Sequence, residues 1–144
     1  MATEFEIIDV TPRDGLQNEP VIFSIEEKLQ LISRSIETGI SRIEVASFVN
    51  PKKVPQMANP EELLNELSIK KRASYSGLVL NERGFSRALD SECDEITFVI
   101  VASDEFSLKN QGMTTAQSID YISELLKNKE KGIKVCISIA AAFG

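Results

Sequence analysis

The chain has 144 residues, 42% of them hydrophobic and 26% charged, a composition that suits a globular domain with one hydrophobic core. Its net charge of -6 and pI near 4.8 argue against nucleic-acid binding, because phosphate recognition needs clustered Lys and Arg, and the short basic runs Lys52-Lys53 and Lys70-Lys71-Arg72 read as solvated. No run approaches the roughly 18 consecutive apolar residues of a membrane span, and residues 1–6 resemble neither a secretory signal nor a transit peptide, so no membrane partner and a cytoplasmic location are expected.

In chain order, residues 6–10 read as a short buried strand stopped by Thr11-Pro12. The turn that follows, Thr11-Pro12-Arg13-Asp14-Gly15-Leu16-Gln17-Asn18-Glu19, is dense in polar chemistry where an ordinary connection needs only Pro and Gly. Ser24 and Glu27 have capping-box spacing, and Ile25, Leu29, Ile32 and Ile36 recur at helical intervals up to a closing Gly39. Residues 42–46 form a second strand. The connection 47–57 is long for a βα loop, where about 2 to 6 residues are usual, and long ordered loops tend to carry function.

Asn59 is expected to cap a short helix with Pro60 at its first position and Leu63, Leu64 and Leu67 on its inner face. Residues 75–80 are a third strand, and Asn81 caps a helix whose Phe85, Ala88 and Leu89 face inward. Residues 94–101 make a nearly continuous apolar strand, as expected for one covered on both faces. Residues 102–112 read as a second long polar loop. Thr114 or Thr115 then opens a helix carrying Ile119, Ile122, Leu125 and Leu126, Gly132 ends it, and residues 133–140 are a fifth strand. Cys93 and Cys136 are far apart and read as reduced, partly buried thiols.

Strict alternation of strand and helix predicts an α/β fold of parallel (β/α) units with right-handed crossovers, in a doubly wound sheet or a TIM barrel. No Gly-rich dinucleotide fingerprint or Walker sequence follows any strand. Loops after parallel strands emerge on one side, so Arg13, Asp14, Gln17, Glu44, Ser47, Ser103, Glu105 and Asn110 would converge on one rim. Asp14 could be a hard ligand for Mg²⁺ or Mn²⁺ or a base, and Arg13 could neutralise an oxyanion; the competing readings are a solvated turn, or an Arg–carboxylate pair that ties the rim together. Glu44 interrupts an apolar strand, so it either faces inward and orients Arg13 or alternates outward. The chain has no histidine, which excludes a Ser-His-Asp or Cys-His nucleophile and a His-ligated metal within these residues.

The run TPRDGLQNE at residues 11–19, together with IEVASFVNPKKVPQM at residues 43–57, resembles the amino-terminal half of 3-hydroxy-3-methylglutaryl-CoA lyase, within the metal-dependent TIM-barrel lyases and Claisen-type synthases. Similarity continues more weakly through residues 81–85 and 103–110. The resemblance implies cleavage of 3-hydroxy-3-methylglutaryl-CoA to acetyl-CoA and acetoacetate. It implies Asp14 as one ligand of a divalent metal (Mg²⁺ or Mn²⁺), Arg13 as stabiliser of the enolate, Glu44 as its support, and Gln17 and Ser47 as substrate-binding residues in the same cavity.

A complete barrel takes about 250 residues, so residues 1–144 are expected to be the amino-terminal part of one (β/α)8 catalytic domain, four βα units and a fifth strand, truncated. The family's two histidines, asparagine and cysteine-bearing glycine loop have no counterpart here, so the chain alone is expected to bind metal weakly and to be nearly inactive. Its open edge strands favour a homo-oligomer. A related synthase or other 3-hydroxyacyl-CoA lyase, and a noncatalytic self-assembling half-barrel, are the alternatives.

Overall fold

A computed structural model describes residues 5–127 and 132–143. Its frame is a sheet of five parallel strands in the order β1-β2-β3-β4-β5: β1 (Ile8–Asp9), β2 (Arg42–Ser47), β3 (Ser74–Val79), β4 (Glu95–Val101) and β5 (Lys134–Ala140). Each strand lies beside its sequence neighbour and the order never reverses. Crossovers of constant hand then put every helix on one face, which is barrel geometry and not the doubly wound alternative.

The helix-bearing face holds the core. Ile43, Val45, Ala46, Tyr75, Val79, Ile96 and Phe98 from the strands pack with Ile32 of α1 (Ile25–Glu37), Leu63, Leu64 and Leu67 of α2 (Pro60–Ile69), Phe85 and Ala88 of α3 (Glu82–Leu89) and Ile122 of α5 (Thr115–Lys127). As deep as Tyr75 and Phe98, Phe48, just past β2, is an aromatic anchor at 2% exposure. A Cβ on Gly77 would stand 2.5 Å from its ring, and one on Gly84 would stand 2.5 Å from its carbonyl oxygen. Both glycines are therefore the space Phe48 occupies.

The opposite face of the sheet is polar. Arg42 reaches across β3 to Glu95 at 2.5 Å and outward to Glu6 at 2.9 Å, while Lys134 meets Glu95 from the other side at 3.0 Å. These bonds hold the Arg42 guanidinium protonated more firmly than usual, Glu95 contributing most.

Several local expectations change. The first strand is two residues, not residues 6–10, because Asp9 turns its carboxylate to the Ser35 hydroxyl and the Thr11 amide and so ends the extended run. Residues 102–112 are mostly a helix, α4 (Asp104–Gln111), capped by Ser103 and closed by Gly112 in the left-handed region at φ 73. Its Phe106 and Leu108 are exposed, so it lacks the apolar stripe by which a helix is read in sequence. Asn59 precedes α2 but sits at φ 56 with no side-chain cap, whereas Ser24–Glu27 forms the full capping box and Asn81 accepts from the Gly84 amide as expected. Thr114 opens α5 by exchanging bonds with Gln117, and the expected end at Gly132 falls beyond Lys127, across residues outside the described ones.

Candidate functional site

The residues 11–19 turn begins as a wide π-helical loop, Thr11–Gly15, in which the Arg13 and Asp14 amides both donate to the Val10 carbonyl, at 3.1 and 2.7 Å. Pro12 is buried under it, Leu16 plugs its end, and the Asn18 amide group donates to the Asp14 carbonyl at 3.1 Å. So wound, the loop turns the Arg13 side chain over the carboxyl end of β2. There its Nε donates to Glu44 Oε1 at 2.5 Å, its Nη2 lies 2.5 Å from the same oxygen, and its Nη1 donates to Asp14 at 2.8 Å. The Glu44 side chain is 5% exposed and that of Asp14 53%, so one carboxylate anchors the guanidinium from within and the other flanks it in solvent.

Strand β2 carries a bulge that decides what else faces the rim. Glu44 pairs with Ser76 but Ala46, not Val45, pairs with Gly77, and Ser47 then pairs with Leu78. The extra residue leaves both Val45 and Ala46 in the core cluster and returns Ser47 to the side of Glu44. The Ser47 hydroxyl is fully enclosed and has no hydrogen-bond partner among the described residues. Gln17 is half-buried on the same turn as Arg13.

The fourth-strand candidates do not join this group. Ser103 uses its hydroxyl to cap α4, Glu105 is exposed on that helix, and Asn110 lines a separate cavity of about 360 Å³ with Gln111 and Tyr121. A cleft of about 610 Å³ between the loops after β2 and β3, lined by Asn50, Lys52, Asn81, Arg83 and Arg87, also lies apart from Arg13 and Glu44. Arg87 there stacks over the Phe48 ring at 5.7 Å and pairs with Glu61 at 2.6 Å. Desolvation acts most strongly on the Glu61 carboxyl and raises its pKa, but the bond to Arg87, a backbone amide bond and the Arg87 charge together outweigh it and the net shift is downward.

The residues present do not make a metal site by themselves. Among the described residues no group of three His, Cys, Asp or Glu side chains is gathered, and Asp14, the one candidate ligand, is engaged by Arg13. Cys93 is no candidate nucleophile, since burial pushes its thiol up to about 12 while it donates to the Glu95 carbonyl at 2.8 Å. Sequence reasoning missed Lys28, a buried cation whose ammonium donates to the Gln56 carbonyl at 2.6 Å. Its signal was a lysine at a core-facing helical spacing.

Comparison with known proteins gives this geometry its setting. The (R)-citramalyl-CoA lyase of Chloroflexus aurantiacus is 36% identical over 149 residues, covering 96% of this chain and 47% of that protein. The hydroxymethylglutaryl-CoA lyase of Pseudomonas mevalonii is 34% identical, covering 96% of this chain and 46% of the relative. A solved HMG-CoA lyase from Acinetobacter baumannii, in complex with coenzyme A and 3-methylmalate, superposes with a TM-score of 0.86 at 34% identity, over 99% of this chain and 48% of that one. The five strands thus form half of the barrel seen in such lyases, and the chain spans about half the length of the curated relatives it matches. The family model described as HMGL-like matches residues 4–144, and the chain belongs to that family.

Proposed function

We propose that this chain supplies the arginine–carboxylate half of a carbon–carbon lyase centre that cleaves 3-hydroxy-3-methylglutaryl-CoA to acetyl-CoA and acetoacetate. The observation that carries the reading is Arg13 fixed between Glu44 and Asp14 at the carboxyl ends of β1 and β2, in a chain whose relatives bear lyase names. A guanidinium has five N–H donors, and those not engaged by the two carboxylates are free to meet the thioester oxygen as it becomes an enolate. Glu44, buried and set against both Nε and Nη2, holds the fork in place and prevents it from swinging to solvent. Gln17 and the Ser47 hydroxyl, which has no hydrogen-bond partner among the described residues, contribute the polar wall beside it.

Asp14 offers one carboxylate to a divalent cation such as Mg²⁺ or Mn²⁺, and a full ligand set requires groups beyond the described residues. We place the protein in the cytoplasm and expect self-association through the edges of β1 and β5, so light scattering should show a dimer or larger and a clean monomer would count against it.

The similarity to the citramalyl-CoA lyase favours a second reading, a related 3-hydroxyacyl-CoA with a different acyl chain. Acetyl-CoA release from both thioesters, measured on the protein that carries this chain within a completed barrel, distinguishes the two. Turnover that is lost in Arg13→Gln supports the lyase reading, and turnover unaffected by that substitution overturns it. The 144-residue chain alone should be nearly inactive.

A further inference from the structure

We propose that Lys28 is a positioning residue that clamps the two rim loops together, an inference that rests on the rim being the reactive site. Lys28 lies in the first turn of α1 and is 5% exposed. Its ammonium has no salt bridge among the described residues and donates at 2.6 Å to the main-chain carbonyl of Gln56. Gln56 sits in the short 3-10 turn Pro55–Met57 that closes the loop after β2, pinned below by Met57 at 3% exposure. The same residue uses its side chain in the other direction, Nε2 donating at 2.7 Å to the carbonyl of Glu19, which ends the residues 11–19 turn. One ammonium therefore holds the second loop to α1, and through Gln56 the second loop holds the first.

A lysine is a poor choice for a packing role alone. Burying an ammonium without a carboxylate is unfavourable, and a methionine of similar length would fill the space without that penalty. What methionine cannot do is donate to the carbonyl, and a charged donor makes a stronger bond than a neutral one. Two connected loops, one bearing Arg13 and Asp14 and the other following Ser47, are what that bond fixes in register.

The test is amide hydrogen exchange on Lys28→Met, Lys28→Arg and Gln56→Leu. In Lys28→Met, amides in residues 11–19 and 49–57 should exchange about tenfold faster with β3 and β4 unchanged, and Lys28→Arg should restore them. Gln56→Leu leaves the Gln56 carbonyl in place, so it should loosen the first loop and spare the second. Protection retained in Lys28→Met, or lost equally across the sheet, would sink the proposal, as would a Gln56→Leu variant with an unchanged first loop. Exchange needs no substrate, so a failure of the lyase reading would appear in the turnover assay and not here.

Discussion

Arg13 and Glu44, 31 residues apart in sequence, meet so that two nitrogens of one guanidinium share a single carboxylate oxygen at 2.5 Å. Lysine cannot reproduce that fork, so the lyase reading proposed above expects Arg13→Lys, placed within a completed barrel, to lower kcat for acetyl-CoA release on the order of 100-fold. Glu44→Gln removes the anchor from a pair whose side chains are 14% and 5% exposed, and should cost about 2 kcal/mol in urea denaturation. A loss under about 0.5 kcal/mol would place the pair with ordinary surface ion pairs instead.

Phe48 sets the order of two glycine substitutions. At Gly77 the new methyl would meet the edge of the ring, and at Gly84 it would meet main chain, both at 2.5 Å. The ring is itself locked in the core, so each substitution should destabilise by about 1 to 3 kcal/mol, with Gly84→Ala the worse because backbone must move. Equilibrium unfolding of the two single variants gives the ranking.

Helix starts that look alike in sequence should respond differently. Ser24→Ala removes one arm of a reciprocal box and should cost about 1 kcal/mol. Asn81→Gly loses the bond to the Gly84 amide, at 2.9 Å, and should cost a few tenths of a kcal/mol by cap comparison. Asn59→Gly should be neutral or slightly stabilising, since Asn59 makes no cap and stands at φ 56, where glycine is relaxed. Thermal unfolding of the three variants checks the contrast.

Cys93 couples stability to alkaline pH. Burial raises its folded pKa from 9.0 to about 12, so above pH 9 the unfolded chain releases a proton that the folded chain retains. The folded state then loses stability by about 1.4 kcal/mol per pH unit between those two values, and the effect is absent below pH 9. Cys93→Ala should remove that slope from a pH series of urea curves. In the native protein a thiol reagent at pH 8 should modify Cys136, which is half-exposed, and leave Cys93 untouched until unfolding.

Much of the fold was legible because the parallel strands are apolar runs and the helices carry clean periodicity, as with Ile25, Leu29, Ile32 and Ile36. The carboxyl-terminal boundary of β1 and the α4 helix were not, because each depends on side chains the pattern does not rank: Asp9 bending toward Ser35, and Ser103 capping a helix with exposed Phe106 and Leu108. At the site, the inward aim of Glu44 was one of two open readings, and the contact with Arg13 selects it. That Ser47 shares its side could not be had from alternation, since positions three apart on a regular strand face opposite ways and only the bulge at Val45 reconciles them.

The Arg42–Glu95–Lys134 cluster has a bearing on how such a sheet can be finished. It lines the open side of the strands at the end away from Arg13, with Glu95 almost wholly enclosed and the Arg42 Nε without a partner among the described residues. A greasy surface laid over the cluster would strip the water that remains to it, chiefly around Lys134, at a penalty of several kcal/mol. Whatever closes the sheet must bring matching donors and acceptors, so the charged floor works as a lock that rejects indiscriminate hydrophobic company and admits only a complementary polar key.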